Sequence, residues 1–248
     1  MKKIRTAMIM AAGYGKRMGG ATENSPKPLL KIGNVTLLDI QLRKLQSAGI
    51  KRVVINLHYQ AEKIIAHFNA NPPLDIEVFF SPEPKILGTG GGIANAASHL
   101  GDDTILIINS DILSDLSLTD FLNFYSKTGN ISAITVWPSQ DYQNYSLVEY
   151  SKDNILRGFL PKNSVPETSN KLGIFMGYYI LTNEARQYLK PHYSSVIEEF
   201  FREALKEEKT IDIFTHSGMW IDVGTNENYR SLVDSYKNGE FKMGTVLR

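Results

Sequence analysis

The sequence predicts an α/β fold, doubly wound about a mixed sheet in three α/β/α layers, and three observations carry that prediction. Through the first half, short β-branched runs alternate with stretches of helical spacing, as in successive βαβ units. The run at 104–109 is apolar throughout, which suits a central strand buried on both faces. From residue 131 the texture turns to aromatic and β-branched segments with polar breaks, so the second half leans antiparallel or mixed.

Taken in order, residues 4–10 are a short apolar run ending in small residues, a first strand that opens into a loop. Leu38, Leu42 and Leu45 lie at helical spacing with Arg43 and Lys44 between them, and Gly49 stands where that helix ends. A strand at 52–56, a helix at 62–68 and a strand at 76–80 follow, with Pro82 and Pro84 as a break. The glycine run 88–92 opens a small-residue helix at 93–99, and the strand 104–109 ends at Ser110-Asp111. Later strands are placed at 131–137, 146–150, 155–159, 175–181, 211–215 and 219–222. Helices are placed at 183–188, at 196–206 with Glu198 and Glu199 near its start, and at 225–236 with Thr225 as its cap. Neither an internal repeat nor a linker rich enough to separate domains is present, so 1–248 reads as one domain.

With 248 residues and 42% hydrophobic content the chain can bury a sizeable core. A formal net charge of +1 argues against a nucleic-acid or anionic-membrane partner, so positive charge should act locally, on a small molecule. The absence of cysteine excludes a disulfide framework and thiolate chemistry. Met1-Lys2-Lys3 and the apolar run after Thr6 imitate a signal peptide, but Gly13 and the Lys16-Arg17 pair cut that run short; a cytoplasmic location is expected. None of the five histidines stands at ligand spacing to a carboxylate or another histidine, and surface or structural roles are expected.

The first loop runs Ala11-Ala12-Gly13-Tyr14-Gly15-Lys16-Arg17-Met18, with Pro26-Lys27-Pro28 further on. Glycines at 13 and 15 let backbone N–H groups approach an anion, and fixed positive charge follows at once, a combination that suits a polyphosphate. The dinucleotide fingerprint would need glycine where Met18 stands, and the P-loop would need Gly-Lys-Ser/Thr. By itself the loop also reads as a glycine turn with a solvated basic pair. Asp111, at the carboxyl end of a central strand, is either an ordinary turn residue or a ligand of a hard divalent cation. Asp222 and Thr225, in Trp220-Ile221-Asp222-Val223-Gly224-Thr225, either cap the last helix or belong to the same site.

These segments together resemble the sugar-1-phosphate nucleotidyltransferases, in which a strand leads into Ala-Ala-Gly-x-Gly-x-Arg-Met/Leu, then Pro-Lys-Pro/Ala, and the catalytic domain closes on Trp-x-Asp-x-Gly-Thr. The resemblance implies a Rossmann-like sheet of GT-A type, a nucleotide-binding half at 1–130 and a sugar-binding half with closing helices at 131–248. It implies that Arg17 holds the nucleoside triphosphate, that Lys27 bridges the reacting phosphates, and that Asp111 and Asp222 hold Mg2+, with Arg17, Lys27 and Asp111 as the catalytic set. Ala11, Ala12, Gly13, Gly15, Lys16 and Asn109 are implied to contact the nucleotide, and Gly88, Thr89, Gly90 and Gly91 to present main-chain groups to base and ribose. Glu149, Lys162 and Gly177 are implied on the sugar phosphate. Departures from the family pattern are Lys16 for threonine, Gly19-Gly20 for proline, Ser110 for glycine and Pro161 for glutamate.

Within the family, the compact length and the stretches 87–93 and 220–225 resemble the N-acetylmuramate 1-phosphate uridylyltransferases of cell-wall recycling most. The expected reaction is UTP with an N-acetylated amino-sugar 1-phosphate, giving NDP-sugar and pyrophosphate. Mannose- or heptose-1-phosphate guanylyltransferases are the alternative; phosphocholine cytidylyltransferases and non-catalytic nucleotide-sensing relatives are further ones. Only a helix and a tail are placed after Thr225, so the left-handed β-helix that many relatives append is not expected in these 248 residues. Monomer and homo-oligomer both stay open.

Overall fold

The computed structural model describes residues 3–73 and 75–247. β1 (Thr6–Met10) runs into a loop that closes through a 3-10 segment at Lys16–Thr22 and a 3-10 turn at Lys27–Leu29. A small ribbon, β2 (Lys31–Ile32) with β3 (Val35–Thr36), precedes α1 (Leu37–Ser47), β4 (Arg52–Leu57), α2 (Ala61–Ala70) and β5 (Glu77–Pro82). The glycine-rich α3 (Gly88–Asn95) and the short α4 (Ala97–Leu100) lead to β6 (Ile105–Asn109). Next come β7 (Ile112–Ser114), α5 (Leu118–Thr128), β8 (Ser132–Pro138), β9 (Leu147–Tyr150), β10 (Leu156–Leu160) and β11 (Lys171–Leu181). After α6 (Asn183–Arg186), a π-helical turn at Ile197–Phe201 runs into α7 (Arg202–Lys206). β12 (Ile211–Thr215), β13 (Trp220–Asp222), α8 (Asn226–Lys237) and α9 (Met243–Val246) complete the described chain.

Nine strands form one mixed sheet. β5, β4, β1 and β6 are parallel neighbours in that order, and β11 lies antiparallel beside β6. β8 pairs with the other edge of β11 and, in parallel, with β12. β9 and β10 extend the sheet from the first residues of β11. Apolar side chains on both faces of β1, β4 and β6 force helices onto both sides. One face packs Leu38, Leu42, Ile64 and Phe121 of α1, α2 and α5; the other packs Ile93, Leu100, Phe200 and Phe201. The result is the expected three-layer α/β/α arrangement. A third apolar group, with Met18, Ile32, Leu113, Val223 and Leu232, seats α8 against the first loop and the β7–β13 ribbon.

The structure departs from the sequence reading in several places. No element was anticipated between Asp111 and residue 131, where β7 and α5 lie. α5 is capped by Ser117 and buries Leu118, Phe121 and Tyr125 at helical spacing, but Leu122 and Phe124 on its flank give the run the aromatic texture of a strand. β11 begins at Lys171 rather than 175 and carries a bulge between Phe175 and Tyr179, where its ladder to β8 shifts register. The helix at 183–188 is a short one, Asn183–Arg186. Three histidines meet carboxylates: His67 with Asp39 and His216 with Asp115 from distant parts of the chain, and His192 with Glu199 seven residues on.

Lys44 is the sharpest departure. Flanked by leucines on an amphipathic helix, it reads as solvent-facing, yet it is 1% exposed. Burial pushes its ammonium down to about 8 from 10.5, with Asp115 opposing the shift. Between those two values the unfolded chain holds a proton that the folded chain has shed, so this residue makes stability rise with pH across that window. The gain should total about 3 kcal/mol, and urea midpoints measured from pH 7 to 10 should show it for the wild type and not for Lys44→Met.

Candidate active site

The carboxyl ends of β1 and β6 flank the point where strand order reverses, and a cleft of about 360 Å³ opens there. One wall is the first loop, with Ala11, Ala12, Gly13, Gly15, Lys16 and Arg17 all on the cleft. Gly15 takes φ 65° and its carbonyl accepts from the Met18 amide, so the chain turns at once and buries Met18 while Lys16 and Arg17 stay exposed. Lys16 also lies 5.2 Å from the Tyr14 ring.

The floor holds the charge. Lys27, set by the Pro26 and Pro28 turn, pairs with Asp111 in a short contact between half-buried side chains. β7 follows Asp111 directly and pairs antiparallel with β13, Ile112 opposite Asp222, and the Val223 amide donates to the Asp111 carbonyl at 2.9 Å. The ribbon thereby brings together two carboxylates separated by most of the second half of the chain. Burial first, and then the neighbouring Asp111, raise the Asp222 carboxyl above its ordinary value; Lys27, Arg17 and the Gly224 amide pull it back. A Cβ at Gly224 would lie 2.6 Å from Asp222 Oδ1 and 3.0 Å from an Arg17 guanidinium nitrogen, so this glycine leaves the space between them open. Two converging oxygen donors with nearby cations suit a hard divalent ion completed by phosphate and water. Among the described residues no larger group of potential metal ligands occurs.

Sequence reasoning missed the second wall of the cleft. Asn56, at the end of β4, accepts from the Ala11 amide at 2.7 Å and donates to Glu83 at 2.7 Å. The other Glu83 oxygen accepts from the Leu87 amide at 2.9 Å. Glu83 is 3% exposed and lines the cleft beside Gly88 and Thr89. A buried charge is tolerated only when hydrogen-bonded, and these bonds satisfy it while leaving lone pairs over. Its signal was present as an acid between Pro82 and Pro84, where a loop residue is the ordinary reading. His58 also belongs to this wall, donating to the Glu83 carbonyl at 2.7 Å and meeting the Tyr14 hydroxyl at 3.0 Å.

The glycine run has a second reason to exist. Gly88 and Thr89 face the cleft, but Cβ atoms at Gly88 and Gly91 would run into the carbonyls of Ser194 and His192, and one at Gly90 into the Ser194 hydroxyl. Hydrogen bonds from Gly90 N to Ser194 O at 3.0 Å and from Val196 N to the Thr89 hydroxyl at 2.9 Å fasten this strap behind α3. Gly90 and Gly91 thus make room for protein, and neither lines the cleft.

Next to Asn109, Gly177 sits in the β11 bulge at φ 85°, where a Cβ would lie 2.8 Å from the Asn109 amide nitrogen. Asn109, at the end of β6, lines the cleft. Tyr145 stands nearby, its hydroxyl pushed up by burial and by Asp222 and Asp141, with Arg17 opposing; its ring meets Trp220 at 5.6 Å. Glu149 and Lys162 are not brought into the cleft. Glu149 accepts from the Thr168 hydroxyl and from Asn170, the latter at 2.8 Å, and Lys162 is exposed beyond β10 without a hydrogen bond or ion pair among the described residues.

Residues 6–239 match the family model described as nucleotidyl transferase. The chain belongs to this nucleotidyl transferase family. Among relatives of the transferase, the mannose-1-phosphate guanylyltransferase catalytic subunit beta of Drosophila pseudoobscura pseudoobscura is 28% identical over 228 residues, covering 90% of this chain and 60% of that protein. The mannose-1-phosphate guanylyltransferase of Mycobacterium tuberculosis is 26% identical, covering 90% and 62%. The chain therefore spans about three fifths of the length of the curated relatives it matches. The solved structure of HddC from Yersinia pseudotuberculosis superposes with a TM-score of 0.76 at 24% identity, over 94% of this chain and all of that one. UDP-glucose pyrophosphorylase from Acinetobacter baumannii does so with a TM-score of 0.81 at 19% identity, over 97% and 96%. These likenesses establish the mixed-sheet fold of the transferase. No helix among its described residues is long and apolar enough to cross a membrane.

Proposed function

We infer that this nucleotidyl transferase joins a nucleoside triphosphate to a hexose 1-phosphate, releasing pyrophosphate, and that the base it takes is guanine. Glu83 carries the choice of base. An ionised carboxylate only accepts hydrogen bonds, and the Watson–Crick edge of guanine offers the adjacent N1–H and N2–H donors. Uracil offers it a single donor, N3–H, flanked by carbonyl oxygens that the second carboxylate oxygen would repel. The guanylyl names of the relatives point the same way, so guanylyl transfer, with mannose 1-phosphate as first acceptor, replaces UTP with N-acetylmuramate 1-phosphate as the leading reading.

The half at 1–130 would hold the nucleotide and that at 131–248 the sugar. Lys16 and Arg17 line the cleft where the triphosphate would lie. Lys27 stands against Asp111 and lines the same cleft, where it would meet an incoming phosphate. Asp111 and Asp222 would hold magnesium, which when bound draws charge from the phosphate oxygens. An oxygen of the sugar phosphate attacks the α-phosphorus while the bond to pyrophosphate breaks. No general base is needed, because a phosphate monoester with second pKa about 6 is already largely ionised at neutral pH. Repulsion between two anions is the barrier, and fixed cations with in-line positioning lower it.

Purified protein should be offered GTP, UTP, CTP and ATP, each against mannose, heptose and N-acetylmuramate 1-phosphates, with pyrophosphate release as the signal. GTP should be preferred over UTP by about 10²-fold or more in kcat/KM, as for a site built around buried acceptors. Preference for UTP would overturn the guanylyl reading, and no release from any pair would overturn nucleotidyl transfer itself.

A further inference from the structure

The ribbon that carries Asp111 and Asp222 rests on two polar residues of α1. Gln41 donates its amide to the Ile112 carbonyl, and Lys44 donates to the Ser114 carbonyl at 2.7 Å and to the Ser114 hydroxyl at 3.3 Å. Tyr178 of β11 closes the set: its hydroxyl accepts from the Ser114 hydroxyl at 3.1 Å and donates to the Ile112 carbonyl at 3.3 Å, and its ring lies 5.3 Å from the Lys44 ammonium. Ile112 and Ser114 are alternate residues, so their carbonyls share one edge of β7. The opposite edge, with the Asp111 carbonyl, pairs with β13. α1 thus supplies the missing neighbour of a three-residue strand.

Both residues are costly where they stand. The Lys44 ammonium is buried with no carboxylate at ion-pair distance among the described residues, and Asp115, which acts on it from farther away, is already engaged by His216. Gln41 is fully buried, and its Oε1 has no hydrogen-bond partner among the described residues. Leucine or methionine would be cheaper to bury at either position. Both costs fall on the helix face that meets β7, next to the two carboxylates. A one-residue slip of β7 would exchange its faces and turn Asp111 away from Asp222.

We propose that Gln41 and Lys44 are positioning residues of the metal centre, holding β7 in the register that lets Asp111 and Asp222 converge on one cation. This rests on the reading of those carboxylates as metal ligands. The test is a Mn2+ titration of the full chain without nucleotide or acceptor sugar, since GTP itself chelates the ion, followed by the electron paramagnetic resonance signal of free Mn2+. Wild type, Asp222→Asn, Lys44→Met and Gln41→Leu are compared, with urea midpoints and kcat measured on each. Lys44→Met and Gln41→Leu should each bind Mn2+ about tenfold more weakly, the scale typical of residues supporting a metal ligand. Their kcat at saturating GTP and metal should fall while the urea midpoint at pH 7 holds or rises, a split that a scaffold role would not produce. Wild-type Mn2+ binding in both variants, or binding lost only in step with stability, overturns the proposal. Should Lys44→Met not fold, Gln41→Leu decides by the same criteria. Equal binding by wild type and Asp222→Asn, or none by either, overturns the carboxylate reading and this proposal with it.

Discussion

Asp222→Asn should cut turnover on the order of 10²–10³-fold and leave the protein as stable as before, or more so. The rate loss follows from removing one of two anionic donors at the point where phosphate charge develops, a contribution comparable to that of a single oxyanion donor. The stability gain follows from the site itself. Burial and the facing Asp111 disfavour the Asp222 carboxylate in the folded chain, and the neutral amide removes that penalty while keeping shape. Asp111→Asn should be as inactive, but it breaks the ion pair with Lys27 and so should not share the gain. Steady-state pyrophosphate release and urea denaturation at pH 7 read both quantities. Near wild-type turnover in either variant would remove that carboxylate from the proposed chemistry.

Glu83→Gln should move base preference away from GTP and toward UTP, lowering the GTP/UTP ratio of kcat/KM by about 10²-fold. Glutamine replaces one acceptor with a donor, so guanine loses part of a bidentate contact, worth about 1–3 kcal/mol, while uracil gains a partner for a carbonyl oxygen. The substitution also has a structural cost, because the Asn56 amide and the Leu87 N–H both donate to this side chain and one of them would face a donor. That loss is common to both nucleotides and cancels in the ratio. An unchanged ratio would show that Glu83 serves only to tie Asn56 and α3 together.

Where candidate residues are consecutive, the segment that carries them is legible without a structure. The loop from Gly13 to Arg17 and the hexapeptide ending at Thr225 carry their glycines, cations and carboxylate in order; Gly224 lines the same cleft as the loop, and Asp222 faces Asp111 beside it. The central strands were legible for a similar reason, since burial on both faces leaves an unbroken apolar run. Glu83 and Lys44 were not. An acid between prolines and a lysine between leucines have ordinary exposed readings, and only the strands that arrive from elsewhere turn them inward. Glu149 and Lys162 show the converse: a plausible local pattern in a second-half segment did not bring either residue to the cleft, because Glu149 is spent on Thr168 and Asn170.

The strap behind α3 changes what its glycines can tell an observer. Gly88, Gly90 and Gly91 press against the backbone and hydroxyl of residues 192–194, so a larger residue at any of them demands a retreat of that distant segment. Helix and strap should therefore vary together across descendants of this fold or not vary at all. A copy that had lost all use for nucleotide would still be held to the same three glycines. Persistence of all three would record an internal fit inherited with the scaffold, and vestigial members would carry it as faithfully as active ones.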